Sequence, residues 1–163
     1  MGKGKDRIQE SFISHTLAMR SSVAWARLPD HARRVLDRLE LEHMRHRGGL
    51  NGRLPCTHDD FEAVGVPHKA VARAIRQCVT LGFVAITQQG TPSRSIYRNP
   101  TLYRLTYVYG RAKLRNGEAG PERSDDWRAI KTDADADAAL AKADAMKSVD
   151  HVKRARAAIR GEG

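Results

Sequence analysis

In this chain of 163 residues, the stretch from Thr57 to Val108 leaves the fewest choices of fold. Thr57 followed by Asp60 is a capping-box-like helix start, because the threonine hydroxyl can accept the unpartnered amide at the third helical position. Phe61 and Val64 give this short helix an apolar face, and Gly65 is free to take the positive φ with which chains leave helices. Pro67 opens the next segment, at a position that tolerates a missing amide donor. Val71, Ala74, Ile75, Cys78 and Val79 then recur at helical spacing, so one face is expected to be buried. Lys69, Arg73, Arg76, Gln77 and Thr80 are expected to lie away from it. Leu81-Gly82 closes the helix, and residues Phe83 to Thr87 are β-type. Gly90 to Pro100 is loop chemistry with two arginines, and Leu102 to Val108 reads as the returning strand.

That order predicts a helix-turn-helix followed by a β-hairpin wing. The segment GVPHKAVARAIRQCVTLGFV, the arginine-bearing loop and the YRLTY strand resemble winged-helix proteins of alphaproteobacterial genomes, often carried on plasmids and other mobile elements. The upstream SSVAWARLPDHARRVLDRLELEHMRHRGGLNGRL is similar to the same family, with an AW segment before the first long helix and NGRL opening a short strand. The resemblance spans about residues 12–109 and implies DNA binding in a regulatory or replication-initiating role. One position departs from it: the second helix begins at Pro67, where such proteins usually carry Ser or Thr.

Charge placement points the same way. The net charge is +10, and no acidic residue occurs between Glu62 and Glu118. That window holds Lys69, Arg73, Arg76, Arg94, Arg98, Arg104, Arg111, Lys113 and Arg115, an electrostatic footprint suited to a polyanion. Lys69, Arg73 and Gln77 are four residues apart and share a helix face, which suits base edges in a major groove. An arginine there can donate two hydrogen bonds to guanine, and a glutamine can pair with adenine. His68 and Arg76 flank them toward phosphates. In the wing, Ser93, Arg94, Ser95 and Arg98 are phosphate or minor-groove partners. The plain alternatives are a solvated basic helix face and an unengaged hairpin tip.

The flanking segments set the boundaries. Residues 1–11 read as a mobile basic tail. His15 to Trp25 reads as partly helical, with Leu17, Met19, Val23 and Trp25 available to pack. Pro29 opens a long helix whose stripe is Ala32, Val35, Leu36 and Leu39, with Arg33, Arg34, Asp37, Arg38 and Glu40 on the other positions. It ends near Arg47, before Gly48-Gly49, and Arg53 to Cys56 forms a short strand beside the wing. Residues 12–109 therefore form the winged domain, 110–123 a Gly- and Pro-bearing linker, and 124–163 a helical extension. In the extension Trp127 docks back, and an Ala-rich helix runs from Asp133 to Arg160. Acidic residues at its start and basic ones at its end suit the helix dipole. Its apolar residues keep no heptad, so packing on its own domain, on a partner, or on nothing all stay open. The linker composition predicts that residues beyond about 120 are dispensable to the winged domain.

Other classes find little support. No apolar run reaches membrane-spanning length, and the first ten residues lack the apolar core of a secretory signal. Cys56 and Cys78 fit reduced thiols of a cytoplasmic, nucleoid-associated protein. His43, His46, Cys56 and His58 are near in sequence, but they straddle the Gly-Gly break without a CxxC, so no metal and no cofactor are expected. No P-loop, nucleophile elbow or HExxH occurs, and a non-enzyme is expected. The expected fold is mainly α with a small antiparallel hairpin and a C-terminal helix. The expected partner is double-stranded DNA, with a homodimer left open and neither membrane nor small-molecule ligand. The leading role is sequence-specific transcriptional regulation. The alternatives are origin binding for a mobile element and a winged helix used as a protein-interaction module.

Overall fold

A computed structural model describes residues 8–90, 99–108 and 119–159, with side chains placed up to Met146. The first elements are two single helical turns, α1 (Leu17–Arg20) and α2 (Val23–Ala26). Each begins at a hydroxyl: Thr16 accepts from the Met19 amide and Ser22 from the Trp25 amide. Met19 and Trp25 are buried, but Leu17 points outward at 84% exposure. A four-residue turn can present only one side to the core, and Met19 takes it.

Helix α3 (Asp30–Arg45) buries Ala32, Val35, Leu36 and Leu39, the stripe expected from spacing. It stops where Arg47 and Gly48 both turn left-handed, at φ 51° and 74°. Strand β1 (Leu54–Pro55) follows, then α4 (His58–Ala63), with both halves of the Thr57/Asp60 capping box formed. Gly65 takes φ +88° and leads into α5 (His68–Thr80). Pro67 precedes α5 with no side-chain cap, as its departure from Ser or Thr implies.

Strands β2 (Val84–Gln88) and β3 (Leu102–Leu105) complete an antiparallel sheet in the order β1-β3-β2. Tyr103 stands opposite Leu54 on one side and Ile86 on the other, and the β2–β3 register shifts between Ile86 and Gln88. A 3-10 turn (Asp126–Ala129) and the long helix α6 (Asp133–Ile159) end the described chain. About half of these residues are helical, so the fold is mainly α with a small antiparallel sheet. None of the described helices is long and apolar enough to cross a membrane.

Edge-to-face rings tie the layers together. Phe83 meets Trp25 at 5.7 Å and Tyr107 at 6.1 Å, and Phe61 meets Tyr103 at 6.1 Å. Most polar groups inside this core are bonded, while His43 Nδ1 and Arg76 Nη2 have no hydrogen-bond partner among the described residues. The Asn51 side chain stands in for a strand: its Nδ2 donates to the Leu105 carbonyl (3.0 Å) and its Oδ1 accepts from the Leu105 amide (2.8 Å).

Arg38 and Glu40, expected on the outer side of α3, are buried instead. Arg38 donates to Glu42 (2.7 Å) and to Asp60 (2.9 Å), joining α3 to α4. Glu40 takes bonds from the Tyr107 hydroxyl and the His15 ring. Burial still holds the Glu40 carboxyl above its ordinary range against both partners. Cys56 and Cys78 are buried free thiols, and burial pushes Cys56 up to about 12.

The core does not stop at residue 109. β3 ends at Leu105 rather than 108, because the Thr106 carbonyl accepts the amides of Ser124 and Asp125 (both 2.9 Å). The Thr106 hydroxyl meanwhile donates to the Gly82 carbonyl (2.6 Å). Trp127, Ala136 and Ala139 belong to the same buried cluster as Trp25, Phe83 and Tyr107. Arg27, which caps the end of α2, holds Asp133 and Asp137 at the start of α6. The segment expected to be dispensable therefore shares its core with the rest of the chain.

Gly82 sits at φ +86°, and a Cβ there would lie within 2.5 Å of the Asp126 carbonyl carbon and the Trp127 nitrogen. Gly82→Ala is expected to lower the unfolding free energy by about 2–4 kcal/mol in urea titrations, through strain and lost docking of Trp127. Arg38 generates a pH prediction. Burial alone would raise the carboxyls of Glu42 and Asp60. The bonds from Arg38 and His46 to Glu42, and from Thr57 and Arg38 to Asp60, outweigh it and leave both below the ordinary range. Their stabilisation is complete above the usual carboxylate pKa of about 4 and is lost as pH falls through the lowered folded values. Arg38→Met should cost about 3 kcal/mol near neutral pH and flatten the acid limb of the stability profile.

Candidate nucleic-acid interface

The α4–Gly65–α5 corner presents the first turn of α5 outward. His68 and Lys69 are exposed there, as expected. His68 pairs with Glu62, and its ring lies edge-on to His58 at 6.3 Å. Lys69 has no acidic partner among the described residues, and its ammonium remains open to a polyanion.

One turn along, the surface changes. Arg73 forms a two-pronged pair with Asp144 of α6: Nε donates to Oδ1 at 2.7 Å and Nη2 to Oδ2 at 2.9 Å. Its pKa, already high, is raised further by that carboxylate. Arg76 Nε donates to the Ala143 carbonyl at 2.8 Å. Arg76 Nη2 is buried with no hydrogen-bond partner among the described residues. Gln77, expected on an open face in line with Arg73, is only 6% exposed. Helix α6 packs along α5, with Ala136, Ala139 and Ala143 all buried at i, i+3 and i+7. Small side chains at that spacing let the helix lie close to its neighbour.

The acid-free window in the sequence is therefore not acid-free in space. Asp144 meets Arg73 and Glu62 meets His68. Arg104 donates to the Glu122 carbonyl and the Ser124 hydroxyl, with Asp126 at 4.0 Å. Of the expected site residues, the structure brings His68, Lys69, Arg73, Arg76 and Gln77 onto one helix; Arg73 stays exposed but is paired with Asp144, Arg76 is half-buried against Ala143, and Gln77 is buried. Ser93, Arg94, Ser95 and Arg98 lie outside the described residues.

The base of their hairpin is described. The Gly90 amide donates to the Thr101 hydroxyl at 3.0 Å, and the Thr87 hydroxyl bridges the Gly52 and Leu102 carbonyls. Gly90 and Thr101 are thus bonded to each other across the ends of β2 and β3, beside β1.

The histidine and cysteine positions do not converge. His46 bonds to Glu42, His58 faces His68, and His43 is buried, its pKa lowered by desolvation. Among the described residues, no group of three or more His, Cys, Asp or Glu could hold a metal ion. A cleft of about 800 Å³ lies between residues 9–14 and the end of α3, and it shares no lining residue with α5.

Sequence reasoning missed Asp144 and Ala143, which engage the expected site. A signal was present: Asp137 and Asp144 are seven apart, and Ala136, Ala139 and Ala143 form a ridge beside them. No protein-family model matches the chain, and no curated protein or solved structure is significantly similar to it.

The Arg73 and Asp144 side chains are 54% and 49% exposed, so solvent screens their attraction. Asp144→Asn is expected to change the unfolding free energy by less than about 1 kcal/mol in urea titration. A loss above about 2 kcal/mol would mean that this pair, rather than the alanine ridge, holds α6 in place.

Proposed function

We propose that the chain is a winged helix-turn-helix protein that binds double-stranded DNA sequence-specifically, as a transcriptional regulator. The observation that carries this reading is the order of elements. A helix pair joined at Gly65 is followed at once by an antiparallel hairpin, with β1 added in the order β1-β3-β2. In that arrangement the second helix of the pair is the groove reader and the hairpin tip is a phosphate or minor-groove arm. The net charge of +10 and the exposed Lys69 at the first turn of α5 support it, since groove-reading helices use their N-terminal residues. Lys69 and, from the wing, Arg94 are the proposed phosphate contacts. Arg73 is the proposed base reader. The resemblance to initiator-like proteins also allows origin binding for a mobile element, and genome-wide occupancy separates promoters from a single origin.

A second reading has a specific observation behind it. The engagement of Arg73 and Arg76 on α5 by another helix of the chain suits a helix pair used for protein contacts. Duplex binding across salt concentrations decides between the two. Some five phosphate contacts predict a slope of log affinity against log salt near −4 to −5, at about 0.9 per contact. Lys69→Ala and Arg94→Ala should each lower that slope by about one unit on cognate and scrambled duplexes alike. A slope near zero, or no duplex shifted at low salt, leaves the protein-interaction reading.

A further inference from the structure

Helix α6 does to α5 what a bound polyanion would do. The Asp144 carboxylate sits in the Arg73 fork with two parallel bonds, the geometry in which a guanidinium also grips a phosphate or the O6/N7 edge of guanine. The neighbouring Arg76 is turned inward to the Ala143 carbonyl, and Gln77 is sealed from solvent. We propose that α6 is an intramolecular cover for α5, with Asp144 standing in the place of a nucleic-acid acceptor, so that docking of α6 and duplex binding at Arg73 exclude one another. This rests on the DNA-binding reading above.

The cover is held in a way that permits release. Its anchoring and covering parts are distinct. Asp133 and Asp137 pair with Arg27, and Ala136 and Ala139 enter the core, whereas Ala143 and Asp144 engage α5. The covering contact uses an alanine, which buries little area, and a half-exposed ion pair that salt and competing anions weaken. It also strands one nitrogen of the Arg76 guanidinium, buried without a partner among the described residues. An unsatisfied buried donor is a cost carried only by the docked state.

The helix also starts from a self-contained cap. The Thr132 hydroxyl accepts from the Asp135 amide, while the Asp135 carboxylate accepts from the amides of Lys131 and Thr132. Nothing in that cap depends on α5, so α6 can leave without losing its first turn. The fork freed on α5 is then available to the duplex.

The test uses the full chain and a mixed-sequence duplex of about 30 base pairs at about 50 mM salt, where non-specific binding is measurable. Asp144→Asn releases the fork. Asp30→Asn makes the same change in net charge at an exposed position on α3. Asp144→Asn is expected to tighten duplex binding about three- to fivefold, and Asp30→Asn by less than about twofold. In the unmutated chain, hydrogen exchange at amides 136–146 is expected to accelerate about tenfold or more when the duplex binds. If the unmutated chain binds duplex, both variants tighten it equally and exchange in α6 is unchanged or slower, α6 stays docked. The inference then fails while DNA binding stands. If neither the unmutated chain nor Asp144→Asn binds duplex, the DNA-binding reading fails and takes the inference with it.

Discussion

The close approach of the Asp126–Trp127 backbone to Gly82 is the contact on which the rest of the arrangement depends. Gly82 closes α5 in a left-handed conformation and leaves no side chain between that turn and the returning chain. The space is filled by the 3-10 turn, so Trp127 reaches the cluster of Trp25, Phe83 and Tyr107. Thr106 secures the same junction from β3, with its hydroxyl on Gly82 and its carbonyl on Ser124 and Asp125. Once that junction is made, α6 starts beside α2 and is led along α5. The cover over Arg73 follows from a steric allowance at one glycine.

Much of the fold was legible from periodicity and turn chemistry. Ala32, Val35, Leu36 and Leu39 on α3, and Val71, Ala74, Ile75 and Cys78 on α5, are all buried as spacing requires. Gly65 takes its positive φ, and α6 begins at Asp133. The errors share a cause. Arg38, Glu40 and Gln77 read as outward in the sequence because a hydrophobic pattern counts only apolar groups. Long polar side chains go inside when partners arrive from elsewhere in the chain, as Asp60 and Tyr107 do for Arg38 and Glu40. β3 is shorter than its apolar run for a related reason: the Thr106 carbonyl just past its end is claimed by residues almost twenty positions later.

The candidate site was legible in composition but not in state. The residue types on α5 are the ones on which the proposed groove-reading role rests, and His68 and Lys69 stand exposed. What α6 does to Arg73, Arg76 and Gln77 could not be read, because an alanine-rich helix shows little contrast between its faces. Its small residues are informative only once a neighbouring helix is known. An acid-free window of more than fifty positions in sequence acquires Asp144, Asp126 and Glu62 as neighbours in space. Local charge density along a chain is therefore an upper bound on the field that a folded surface presents.

The central claim, that α6 is docked on α5 in the free chain and leaves it for DNA, is tested most directly by a distance. Spin labels at His31→Cys on α3 and Lys142→Cys on α6 occupy exposed positions, while the native thiols of Cys56 and Cys78 are buried. Pulsed electron–electron resonance on the free chain should give one narrow distance distribution, and saturating duplex DNA should shift it to longer and broader values. A broad distribution in the free chain, or a narrow one unchanged by bound duplex, would contradict the account.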